Sequence, residues 1–95
     1  MQQMTQSLES ITTRLLTSRN SEKFDLLWNG RWEQLGYPSP SEADLAFCRL
    51  VRNAGGGQLE IDLMMRKSKL MRKKWDESRG EVSYGELTIK TIMST

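Results

Sequence analysis

The residues best suited to chemistry lie in one stretch, Arg66-Lys67-Ser68-Lys69-Leu70-Met71-Arg72-Lys73-Lys74-Trp75. Lysine and arginine neutralise phosphates and release condensed counterions, and an indole offers a base a stacking surface. Ser68 adds a short hydroxyl of the kind that fixes a phosphate oxygen. Arg66, Lys69, Arg72 and Lys73 recur three and four apart, the spacing of a single helical stripe. Between 66 and 79, seven basic residues stand against Asp76 and Glu77, a local charge of +5. The same residues also fit a solvated helix face beside a core tryptophan, and composition alone leaves both readings open.

Other chemistry is scarce. The 95 residues contain no histidine and one cysteine, Cys48, so disulfides, Cys/His zinc sites and histidine-based catalysis are excluded. Asp62 with Glu60 and Asp76 with Glu77 are too close in sequence to converge from one helix, so neither an acid–base pair nor a metal site is expected. Gly55-Gly56-Gly57 lacks the lysine-serine continuation of a phosphate-binding loop and reads as a helix terminator. Cys48 lies among apolar residues and reads as a small core hydrophobe. No apolar run approaches the roughly 20 residues of a membrane span, and no secretory leader is visible. Fourteen basic and twelve acidic residues give only +2 overall, so the chain outside the basic stretch carries −3. The expectation is a chain without catalytic or metal-binding residues, placed in the cytoplasm.

The elements that must position the basic stretch are short. Leu8, Ile11, Leu15 and Leu16 make a narrow apolar stripe, predicting a helix over 7–18 with a frayed start. Asn20 begins a second helix through Phe24, Leu27 and Trp28, stopped by Asn29-Gly30; 31–37 is a compact turn carrying Trp32. Ser39-Pro40-Ser41-Glu42 combines an N-cap, a first-turn proline and a capping-box glutamate. The helix it starts has Ala43, Ala46, Phe47, Leu50, Val51 and Ala54 on one broad face, with Glu42, Arg49 and Asn53 opposite. Gln58–Lys67 reads as a fourth helix burying Leu59, Ile61, Leu63 and Met64, and 70–77 as a further helical segment. Ser83-Tyr84-Gly85-Glu86 caps a terminal helix, and 81–84 is at most a short extended piece. The fold class is all-α, a compact bundle of five or six short helices. Residues 1–20 form a helical or partly mobile leader, and 21–95 the helix-bundle domain.

Four segments in order add a resemblance: 26–30 (LLWNG), 37–48 (YPSPSEADLAFC), 61–76 (IDLMMRKSKLMRKKWD) and 84–89 (YGELTI). Together they resemble the small helix-bundle domain of phage and plasmid primase-polymerases, over about residues 24–92. In that family the bundle lies between a catalytic primase domain and a helicase, neither of whose motifs is present in this chain. The resemblance implies a module that binds single-stranded template and initiating nucleotides for a separate catalytic domain. The family pattern falls on Arg66, Ser68, Leu70, Arg72, Lys74, Trp75, Tyr84, Gly85 and Thr88. Leu70 reads as structural and Gly85 as a backbone requirement. Met65 and Lys69 stand where the family usually has phenylalanine and glycine, and Lys69 adds charge. Met1 and the helical leader suggest a separately translated product.

The function expected is a non-catalytic replication accessory module. Arg66, Lys69, Arg72, Lys73 and Lys74 would contact phosphates, Trp75 or Tyr84 would stack on a base, and Ser68 and Thr88 would donate hydrogen bonds. Its partners would be a single-stranded DNA template, a nucleotide, and a primase, polymerase or helicase protein. No cofactor is expected beyond ATP or another nucleotide as ligand. The alternative is a protein-interaction module of a mobile genetic element, docking through the leader stripe or Trp32 on a polymerase, helicase or host complex.

Overall fold

The computed structural model describes residues 7–94. Five α-helices, two single-turn 3₁₀ segments and one small hairpin follow in order: α1 Leu8–Leu16, α2 Ser21–Trp28, a turn Trp32–Leu35, α3 Pro40–Asn53, α4 Gln58–Lys67, a turn Lys73–Asp76, β1 Ser78–Arg79, β2 Val82–Ser83 and α5 Tyr84–Met93. The fold is all-α, with the antiparallel β1–β2 pair as its one sheet among the described residues. Residues 1–6 of the expected leader lie outside the described residues.

Local chemistry starts and stops the helices. Ser7 Oγ accepts the Ser10 N–H at 3.1 Å, and Ser39 Oγ accepts the Glu42 N–H at 3.4 Å, so α1 and α3 begin on serine caps. Pro40 occupies the first position of α3, where no amide donor is needed. The full reciprocal box forms instead at α5, where Ser83 Oγ accepts from Glu86 and Glu86 Oε1 accepts from Ser83.

The 14-residue α3 is the hub and packs on α1, α2, α4 and α5. Its Phe47 stacks on Phe24 of α2 at 6.0 Å, while Val51 and Cys48 are buried beside Ile61, Met64 and Met65 of α4. Ile11 and Leu15 of α1, Leu70, Trp75, and Ile89 and Ile92 of α5 complete the same core. Leu59, expected inside, is 64% exposed. It precedes Ile61 by two residues, about 200° around a helix, so only one of the two can face the core. Ile61, flanked at helical spacing by Met64 and Met65, takes that place.

The second correction concerns 70–77. α4 ends at Lys67 as expected and Ser68 adopts extended backbone, but the further helical segment expected over 70–77 does not form. Ser68 Oγ donates to Met65 O at 2.8 Å and accepts the Leu70 N–H at 3.2 Å, which turns the chain. Arg72 is extended as well, and only Lys73–Asp76 winds a 3₁₀ turn before the hairpin. The basic stretch is therefore a helix end followed by a loop, and the single helical stripe of Arg66, Lys69, Arg72 and Lys73 does not form.

Candidate nucleic-acid interface

Two carboxylates hold this loop to the bundle. Asp44, on the core side of α3, is fully buried. Its Oδ1 and Oδ2 accept two parallel bonds from Arg72 Nη1 and Nη2, at 3.0 and 2.8 Å, and Oδ2 also accepts the Tyr84 hydroxyl at 2.7 Å. Asp62, on α4, accepts the Trp75 indole N–H on Oδ1 at 2.9 Å and Arg66 Nε on Oδ2 at 2.9 Å. The remaining edge of the Arg66 guanidinium forms a fork with Asp76, at 3.0 and 2.7 Å. Charge-assisted and bidentate bonds of this kind are the strong ones, so they fix the loop's path as well as neutralising two arginines.

Ionisation follows from these partners. The hydrogen bond from Arg66 holds the Asp76 carboxyl below its ordinary range. Arg72 is held more firmly protonated, chiefly by its bonds to Asp44. Burial, then the bond to Asp44, pushes the Tyr84 phenol up and keeps it a donor. Burial pushes the Cys48 thiol up to about 12, with Asp44 and Asp62 adding to the effect.

The expected contact residues divide accordingly. Trp75 is 2% exposed; its N–H is spent on Asp62, and Tyr84 meets it edge-on at 6.0 Å. In this conformation the indole has no face open to a base. Gly85 explains part of that closure, because a Cβ there would stand 2.5 Å from Trp75 Cε2. Ser68 is buried within the turn it makes, and buried Thr88 donates its hydroxyl to Tyr84 O at 3.0 Å. These three side chains set geometry instead of facing solvent.

Tyr84 is half-buried, with Lys74 Nζ over its ring at 4.6 Å and Arg79 at 5.8 Å. Lys74 Nζ also donates to Ser41 Oγ at 3.0 Å, at the start of α3. Lys69 and Lys73 are exposed, as is Lys67 at the end of α4. None of Lys67, Lys69, Lys73 and Lys74 pairs with a carboxylate among the described residues. Lys69 is nevertheless fixed at its backbone: its N–H donates to Trp28 O at 2.9 Å, and Gly30 (φ +74°) lies against it. A Cβ at Gly30 would sit 3.2 Å from Lys69 O, so glycine serves both the close approach and the left-handed backbone. Lys69 itself needs no left-handed conformation, and the lysine is accommodated where the family usually has glycine.

Asp44 and Asp62 were the residues missed. Asp44 interrupts an otherwise apolar face three and four residues before Phe47 and Cys48, and Asp62 precedes Arg66 by four. Both signals were present, but their partners lie 28 and 13 residues away, where no local spacing rule reaches.

Fold and site together define a small helical-bundle domain with a carboxylate-framed basic loop. The chain belongs to the family of the NrS-1 polymerase HBD domain, a helical-bundle domain of phage primase-polymerases, whose family model matches residues 40–95, more than half of the chain. The match begins at the first residue of α3 and takes in two of the four segments that carried the resemblance whole, and 40–48 of a third; 26–30 lies before it. Comparison with the curated proteins and with the solved structures returns no match.

Proposed function

We propose that the chain is a non-catalytic accessory module that binds single-stranded DNA template, or a nucleoside triphosphate, for a primase-polymerase. The observation that carries this reading is the division of labour in the basic loop. Asp44 and Asp62 immobilise Arg72, Arg66, Tyr84 and Trp75, while Lys67, Lys69 and Lys73 extend from the fixed backbone without carboxylate partners among the described residues. Ammonium groups carried on a fixed backbone are kept close together, and on meeting a phosphate chain they release its condensed counterions into solution. Lys74 and Ser41 add a hydroxyl–ammonium pair for a further phosphate oxygen. Tyr84 is the ring on which a base could stack, provided Lys74 swings aside.

Anisotropy of a labelled single strand at two salt concentrations tests this. Lys69→Glu/Lys73→Glu is the informative variant, because reversing Arg72 would leave buried Asp44 without its cation and disturb the fold itself. The expected result is salt-sensitive binding that the double reversal weakens at least tenfold. Affinity unchanged in the variant would refute the loop as the contact surface. A parallel titration with ATP separates nucleotide from strand.

One observation favours the second reading, docking on a polymerase or helicase. A groove of about 620 Å³ opens beside α4 and α5, with exposed Leu59 on its wall and Ile89, Asp62 and Glu86 along it. Of the other surfaces expected for docking, Ile11 and Leu15 of the leader stripe are buried and Trp32 packs against the core, while Leu16 is exposed. On this reading, Leu59→Asp abolishes a salt-resistant association with a purified primase-polymerase and leaves strand affinity intact.

A further inference from the structure

Three grooves meet around Asn53, near the end of α3. One, of about 380 Å³, runs between α2 and α3; two smaller ones lead from it toward α5 and toward α1. Asn53 lines all three, Arg49 is shared by the α2 and α5 branches, and Asn20 by the α2 and α1 branches. Their cations are Lys23, Arg49, Arg52 and Arg14, with Glu42 as the one lining carboxylate among the described residues. Arg14 is held in place by donating Nη1 to Ala54 O at 3.1 Å, with further donors on the same guanidinium. Half-buried Tyr37 stands in the widest branch.

A cationic groove with amide donors and an aromatic wall is the physical description of a path for a single strand, in which cations follow the backbone and a ring meets a base. We infer that this surface is a second track for a single-stranded nucleic acid, distinct from the basic loop and continuing the strand bound there. The inference rests on the loop being a strand-binding surface. α3 connects the two: its Ser41 and Asp44 touch the loop, and Arg52 follows Asp44 about 12 Å further along the helix axis. Arg14, Asn20, Lys23 and Tyr37 precede residue 40, so part of the track, two of its four cations included, is built from sequence outside the family match.

The test uses the full chain and labelled oligodeoxythymidylates of about 6 and about 20 nucleotides, bracketing the usual site sizes. Lys23→Glu/Arg52→Glu leaves the bond from Arg14 to Ala54 in place, and circular dichroism checks that the bundle persists. The expected result is at least tenfold weaker binding of the long strand, with unchanged binding of the short one. The log–log salt slope for the long strand should fall by about 1.4, two contacts at roughly 0.7 each. Unchanged long-strand affinity overturns the track. So does equal loss at both lengths, or displacement of the long strand from the wild type by polyglutamate as readily as by unlabelled DNA, which would assign the surface to an acidic protein. The loop reading is judged separately by Lys69→Glu/Lys73→Glu, which should weaken both lengths. If that variant binds both strands normally, the loop fails as the primary site, and with it the continuation from loop to track.

Discussion

Asp44 does the most of any single residue to hold the basic loop in place. It is fully buried, and its two oxygens accept three bonds from Arg72 and Tyr84. Removing one member of such a pair strands the other, which costs more than the pair gains in net stability. Asp44→Asn should therefore destabilise the fold by about 3 kcal/mol, while Tyr84→Phe, losing one bond to a charged acceptor, should cost about 1.5 kcal/mol. Urea denaturation of the two variants checks the ranking; equal losses would mean that Arg72 contributes nothing through Asp44. Gly85 sets two opposed effects against each other. Alanine would raise helix propensity by up to about 1 kcal/mol, but its Cβ would enter the Trp75 ring. That ring cannot retreat without breaking its bond to Asp62, so overpacking of about 1–3 kcal/mol should win. Gly85→Ala is expected to lower the urea midpoint and alter the tryptophan emission.

Between residues and molecule, the 3₁₀ turn Lys73–Asp76 is tied back to α4 by the Arg66–Asp76 fork. Because Arg66 lowers the Asp76 pKa in the fold, unfolding at low pH takes up a proton that the folded state resists. The contribution is complete above the unfolded carboxyl's pKa of about 3.9 and is lost as pH falls through the lower folded value. Asp76→Asn should thus be less stable than wild type at neutral pH, with the gap closing in acid; urea midpoints at the two extremes measure it. A gap that persists in acid would assign the effect to packing. The same segment marks the limit of what was legible in the sequence. Caps and glycines are local signals, so the Ser39-Pro40 start, the Gln58–Lys67 span and the Ser83 box could be read directly. The path of 68–77 could not, because it depends on Asp44 attracting Arg72 across 28 residues, which outweighs the helical spacing of the charges. Trp75 could be read from sequence as a core residue or as a stacking ring; the contacts that bury it, to Asp62 and Gly85, come from residues that are not neighbours in sequence.

At the scale of the whole molecule, the family match and the core have different boundaries. The match starts at residue 40, yet Ile11 and Leu15 of α1 and Phe24 and Leu27 of α2 share one buried cluster with Phe47 and Val51. A chain of this size has little apolar surface to spare, so a core that includes α1 should unfold as one cooperative unit with it. Cys48 offers a direct measure. It is buried at the centre of α3 with its thiol pKa pushed up to about 12, and only the thiolate attacks a thiol reagent. Labelling therefore requires opening of the core, and under rapid reclosing its rate follows the open population. Ile11→Ala, distant in sequence from Cys48, should cost about 2–4 kcal/mol and speed Cys48 labelling by roughly 30- to 700-fold. Substituting an exposed residue of the same helix, Thr13→Ala, should leave the rate nearly unchanged. If Ile11→Ala also leaves labelling unchanged, α1 detaches without opening the core, and the unit that folds cooperatively excludes it.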